Sequence, residues 1–150
     1  MNTVIIFCAE YLIYVSALYA FARIVLTKKD KDYIKILIIV FGSAVVAWII
    51  AHVLKDIIAH PRPNLTNALI KPDSVYSFPS GHSTFMFTLA FVLYYFDRYA
   101  VKVVVTLAIL TGFSRVVGGV HYWYDILGGV VLAATVAFII LRLSKYFFGK

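Results

Sequence analysis

Five apolar segments, at residues 3–26, 33–58, 80–96, 101–117 and 125–143, fill most of this 150-residue chain. A helix needs about 20 apolar residues to cross a hydrocarbon core, and backbone inside that core must satisfy its own hydrogen bonds. The runs are too long for strands and lack period-two alternation. The sequence therefore predicts an all-α fold: a polytopic membrane helix bundle of about five transmembrane helices, with residues 1–150 forming a single membrane-embedded domain. Composition agrees. The chain is 63% hydrophobic and 14% charged, against roughly 45–50% and about 25% in soluble domains. The first run lacks a basic leader and a small-residue cleavage site, so it reads as a retained helix rather than a signal peptide. Cys8 is the only cysteine, which excludes an internal disulfide, and it reads as a small hydrophobe.

All four prolines, Pro61, Pro63, Pro72 and Pro79, fall between the second and third segments. Proline is excluded from helix interiors, so residues 60–78 form the one long loop. Shorter connections follow at residues 28–32, 97–100 and 118–124. Five helices leave two faces. One takes Arg23, Lys28, Lys29, Lys31, Lys35, Arg98, Lys102, Arg142, Lys145 and Lys150. The other takes only Lys55, Arg62, Lys71 and Arg115. The positive-inside rule puts the ten-residue face in the cytoplasm. The N-terminus, the proline loop and the last turn then lie outside, and the C-terminus inside. The net charge of +7 thus reports topology and an anionic ligand, not nucleic acid.

Three clusters hold the chemistry, and polar groups at the ends of apolar helices are costly enough to suggest function. In the first, Lys55 precedes Arg62, whose backbone is restricted by Pro61 and Pro63. A rigid guanidinium suits bidentate contact with phosphate, although both cations are also ordinary at helix ends. In the second, Pro79-Ser80-Gly81-His82 opens a helix, and helix N-termini present unpaired N–H groups to anions. Gly81 allows close backbone approach. Ser80 is a favoured cap in any protein or a hydroxyl donor, and His82 is placed to act as a general acid. In the third, Ser114-Arg115 ends a helix while His121 and Asp125, four residues apart, share a helical face. A carboxylate on one ring nitrogen fixes the tautomer and leaves the other nucleophilic. The same pair could simply order a turn. His82, His121 and Asp125 could also ligate a metal, but three neighbouring cations favour an anion.

Together these residues resemble the three motifs of the type 2 phosphatidic acid phosphatase family, which also occur in vanadium haloperoxidases and some soluble bacterial acid phosphatases. The match is complete and in order over residues 55–125. It implies a type 2 phosphatidic acid phosphatase-like catalytic core needing no metal or other cofactor. His121 would be the nucleophile, Asp125 its orienting partner, and His82 the proton donor to the leaving group. Lys55, Arg62, Ser80, Gly81 and Arg115 would bind the phosphoryl oxygens, with Ser114 in support. Typical membrane members have six spanning helices and larger ones more elaborate loops between the first two motifs; five helices and a short loop are read here.

The implied activity is hydrolysis of a lipid phosphate or diphosphate at the outer face, with the membrane lipid itself as partner. Small size and outward topology put undecaprenyl diphosphate first among substrates. Phosphatidic acid, phosphatidylglycerophosphate and lipid A phosphates are alternatives of the same class. A non-catalytic headgroup-binding protein would need the cations but not two histidines and a carboxylate. A haloperoxidase is disfavoured by the membrane helices.

Outside the motifs, Glu10 lies within the first apolar run, where an intramembrane carboxylate is either functional or a hydrogen-bonded structural group paired with His52, Lys55 or a tyrosine. Lys71 and Asp73 are loop charges that either contact a headgroup or are solvated. His60 has no motif role, and Tyr122, Trp123 and Tyr124 read as an interfacial aromatic belt.

Overall fold

The computed structural model describes residues 2–27, 32–64, 66–72 and 74–148, with side chains as far as Lys145. Among these residues there are six helices and no strand: α1 (Asn2–Glu10), α2 (Leu12–Thr27), α3 (Asp32–Ile58), α4 (Gly81–Phe96), α5 (Ala100–Val117) and α6 (Trp123–Phe148). The predicted first helix is therefore two, bent by 46° at Tyr11. No proline or glycine lies there to explain it. The backbone ladder is rerouted instead: Tyr14 N–H reaches only three residues back, to Tyr11 O at 3.0 Å, while the Arg115 side chain donates to Ala9 O at 3.4 Å. A side chain competing for a helix carbonyl is one of the recognised causes of a kink.

α3, α5 and α6 are long and apolar enough to cross a membrane, and the bent α1–α2 pair would make a fourth span. The expected segment at residues 80–96 is α4, whose 16 residues reach about 24 Å at 1.5 Å per residue. It is the centre of the bundle, sheathed by α3, α5, α6 and α2 and buried along most of its length.

The helices around α4 approach it through stripes of small residues. On α3 the buried positions are Val40, Ser43, Ala44, Ala47, Ala51 and Lys55. On α5 they are Ala100, Val104, Ala108, Thr111, Gly112, Ser114 and Arg115. On α6, Asp125, Ala133, Val136 and Ala137 are buried and Gly129 meets α4. Small residues let helix backbones come close in a membrane. The 3.6-residue period then carries each stripe to a motif residue at the same end of the bundle, Lys55, Arg115 or Asp125. At the opposite end Arg23 bonds Asp97 at 2.6 Å, joining α2 to the end of α4. The face that collects Arg23, Lys35, Arg142 and Lys145 is thus separate from the face that collects the motifs.

Gly129 lies directly against the backbone of α4. A methyl group there would meet Ser80 O at 2.9 Å and Thr84 N at 3.1 Å, both backbone atoms of the first turn of α4. Gly129→Ala is expected to destabilise the protein by about 1–3 kcal/mol. Gly42→Ala, where nothing lies within 4 Å, should leave stability unchanged or slightly raised. Melting temperatures of the two purified variants check this.

Candidate active site

α6 begins with a polar lock. Trp123 is its first residue, so Tyr122 stands at the N-cap and Asp125 at the third helical position. Asp125 Oδ2 reaches back to accept the Tyr122 backbone N–H at 2.8 Å, which is one half of a capping box. The same oxygen accepts from His121 Nδ1 at 3.2 Å. His121 lies just before the helix rather than on it, which corrects the expected shared helical face. The cap, not the helical repeat, brings imidazole and carboxylate together. With Nδ1 donating to Asp125, Nε2 is the nitrogen left to act as acceptor or nucleophile.

Arg62 faces that nitrogen, with Nη1 at 3.5 Å from His121 Nε2. Its guanidinium is held by the backbone on both sides. Nη1 donates to Val120 O at 2.8 Å, Nε to Ser74 O at 2.6 Å, and Nη2 to Ser74 Oγ at 3.1 Å. The proline loop is itself pinned by the Ser77 N–H to His60 O bond at 2.8 Å and the Leu69 N–H to Gly118 O bond at 3.0 Å. The first cluster is thereby fixed against the third.

The second cluster docks through backbone. Ser80 N–H donates to Asp125 O at 3.0 Å, and Ser80 Oγ caps α4 by accepting from Ser83 N–H at 3.4 Å. Ser80 acts here as a cap, one of its two expected roles. At Gly81 a methyl group would stand 3.1 Å from His52 Cε1 and 3.6 Å from the Trp48 ring, so its smallness also serves packing against α3. Its N–H stays in the first turn of α4. His82 follows, half-buried, and its Nε2 takes an N–H from Arg115 Nη1 at 3.4 Å. Ser114 is buried on the last turn of α5, and its carbonyl accepts the Gly118 N–H at 2.8 Å.

All nine residues named from the sequence lie at this end of the bundle, and most are sealed. Lys55 is 1% exposed, Arg115 2%, His121 1% and Asp125 0%. Burial lowers the His121 pKa most. The Asp125 hydrogen bond opposes it, and the charges on Arg115, Arg62 and Lys55 lower it further, to about 4. The imidazole is thus neutral at ordinary pH, the form a nucleophile needs. Among the described residues no three His, Cys, Asp or Glu side chains converge as a metal site would require.

Three contributors were not legible in the sequence. Ser74 clamps Arg62 from an otherwise unremarkable stretch of loop. Ala9 O on α1 holds Arg115. His60 joins the loop to α6, with Nδ1 at 3.1 Å from Ser77 Oγ and Nε2 at 3.2 Å from Tyr124 OH. Tyr122 and Tyr124 stack at 4.9 Å beside it, so two of the three belt aromatics line the rim of the site. Only the His60–Tyr124 pairing had any signal, the presence of a histidine beside motif residues. Glu10 is half-buried at the α1–α2 bend, Lys71 is exposed, and Asp73 lies outside the described residues.

A profile of the PAP2 superfamily matches residues 35–148. The chain belongs to the PAP2 superfamily. It is 30% identical over 88% of its length to the bacitracin transport permease protein BcrC of Bacillus licheniformis, covering 66% of that protein. It is 29% identical over 96% of its length to the undecaprenyl-diphosphatase BcrC of Bacillus subtilis, covering 75% of it. The crystal structure of a transmembrane PAP2-type phosphatidylglycerolphosphate phosphatase from Bacillus subtilis superposes with a TM-score of 0.67 at 27% identity, over 97% of this chain and 76% of that one. The fold and the resemblance read from the motifs are thus established, and the chain carries the PAP2-type phosphatase core in a multi-pass helical frame.

The neutral state of His121 has a consequence for stability. An unfolded chain takes up the proton near pH 6.5 and the folded site only near 4, so stability should fall as pH is lowered through that window. On the order of 3 kcal/mol is involved at its acid end. His121→Gln removes the group, and its melting temperature should fall less between pH 7 and pH 4 than that of the wild type. Equal falls would contradict a neutral, buried His121.

Proposed function

We propose that the protein hydrolyses a lipid phosphate or diphosphate, with undecaprenyl diphosphate as the first candidate substrate, through a phosphohistidine on His121. The observation that carries this reading is a neutral imidazole whose Nδ1 is tied to Asp125 and whose Nε2 faces a clamped arginine. Cations alone would serve a headgroup-binding protein. A nucleophile oriented by a carboxylate beside those cations serves phosphoryl transfer. The substrate is favoured because several relatives bear the name undecaprenyl-diphosphatase, including one from Sulfolobus acidocaldarius that is 31% identical over 69% of this chain.

In this mechanism Lys55, Arg62, Arg115 and the first-turn N–H groups of α4 hold the equatorial oxygens of the terminal phosphoryl group. His121 Nε2 attacks phosphorus in line, and the bond from phosphorus to the lipid-bearing oxygen breaks. His82 gives that oxygen its proton. Water then attacks the phosphohistidine, with His82 accepting a proton, and inorganic phosphate leaves. No step uses a metal or another cofactor. Asp125 keeps the imidazole in the attacking tautomer and stabilises the positive charge that it gains. The excess of basic residues at the other end of the bundle supports an active site facing away from the cytoplasm at the cell membrane.

Phosphate release from undecaprenyl diphosphate and phosphatidic acid by the purified protein tests the proposal. Turnover should persist with a chelator, be inhibited by orthovanadate, and fall roughly 10³-fold or more in His121→Ala and roughly 10²-fold or more in Asp125→Asn. Wild-type turnover in His121→Ala would refute the nucleophile. Orientation has its own test. Asn67 is exposed in the proline loop, so a cysteine placed there should react with an impermeant reagent on intact cells. Reaction only after lysis would reverse the orientation.

A further inference from the structure

At the end of the bundle away from His121, α3, α4 and α6 part to leave a groove of about 420 Å³. Its inner wall is apolar, from Ile36, Ile39 and Phe96, and its rim carries Lys35 and Lys145. A second hollow of about 280 Å³ shares Tyr95 and Lys145 with it and adds Arg142. The heads of two of these cations are set by aromatic rings. Lys145 Nζ stands 5.4 Å from the Tyr95 centroid, and Arg142 Cζ stands 5.1 Å from that of Phe138.

The charge here is unbalanced. Among the described residues lining the two hollows, Lys35, Arg142 and Lys145 are cations and Asp32 is the one carboxylate. Asp32 meets Lys35 at 3.7 Å with both side chains largely exposed, and such a pair is weakly bound. Three cations against one anion leave an excess of two positive charges. The depth of the groove indicates what fills it. Ile39 lies seven residues into α3, about 10 Å along the axis from Asp32, and α3 is long and apolar enough to cross a membrane, so the apolar wall runs from the charged helix end toward the membrane interior. A water-soluble anion would gain nothing from that wall. An uncharged lipid would gain nothing from the cations.

We propose that this groove binds an anionic phospholipid of the leaflet opposite the active site. Its phosphodiester sits among Lys35, Arg142 and Lys145, and one acyl chain lies along Ile36, Ile39 and Phe96. The site is separate from the PAP2 motifs and does not rest on the substrate proposed above.

The test uses the purified full chain in detergent, titrated with short-chain phosphatidylglycerol, short-chain phosphatidylcholine or glycerol 3-phosphate while thermal stability is followed. Phosphatidylglycerol should raise the melting temperature and the other two should not. In Lys35→Gln/Arg142→Gln/Lys145→Gln the half-maximal concentration should rise roughly tenfold or more, since each cation near an anionic headgroup contributes about 1 kcal/mol. Phosphate release by this variant should stay at the wild-type level. Ile39→Trp, which fills the groove and keeps every charge, should lose the response as well, and it decides the matter if the triple variant does not fold. An equal response in wild type and both variants, no response to phosphatidylglycerol, or a matching response to phosphatidylcholine or glycerol 3-phosphate would each overturn the proposal.

Discussion

Among the described residues, three buried cations at one end of the bundle, Lys55, Arg62 and Arg115, share a single buried carboxylate, Asp125. Charges in such a place are costly. Asp125 Oδ2 holds both the start of α6 and the His121 ring. The rest of the site follows from this excess of positive charge, which favours an anion with several oxygens. Burial first, and then these cations, keep the proton off His121 and leave its imidazole neutral.

The helix packing produces that concentration of charge. Each of α3, α5 and α6 turns a stripe of small residues toward α4, and each stripe ends on a charged motif residue. The seam that lets the backbones close also carries a charge to the same depth at the same end. α4 contributes His82 there, and no Lys, Arg, Asp or Glu. It supplies its capped first turn, held 3.0 Å from the Asp125 carbonyl through the Ser80 N–H. Glycines at positions 81 and 129 let α4 sit close to α3 and α6. Packing and chemistry are therefore not separable in this region: a methyl group at Gly129 would disturb the helix terminus proposed to hold the anion.

Much of this could be read from the residues. The apolar runs announced helices, and the four prolines located the long loop. The spacing of the three clusters identified the family before any coordinates were considered. What could not be read depends on contacts between distant segments. The bend at Tyr11 has no proline or glycine to mark it, because it coincides with an arginine 106 residues away that takes a helix carbonyl. The clamp on Arg62 is a loop serine whose partner is fixed only once the loop has folded back. That Gly81 also makes room for His52 and Trp48 depends on how α3 packs against α4, because glycine does not say which neighbour needs the space. The pairing of His121 with Asp125 was anticipated, but through a helical repeat rather than the cap that achieves it.

The central claim is that His121 Nε2 takes the phosphoryl group. The most direct measurement is an alkaline quench of the purified protein during turnover of undecaprenyl diphosphate, followed by peptide mapping by mass spectrometry. High pH is used because phosphohistidine is labile to acid. Phosphate should be found on His121, with more of it in His82→Ala, where release by water is slowed. Absence of phosphate from His121 in both proteins while substrate is being consumed, or phosphate carried on another residue, would contradict the account.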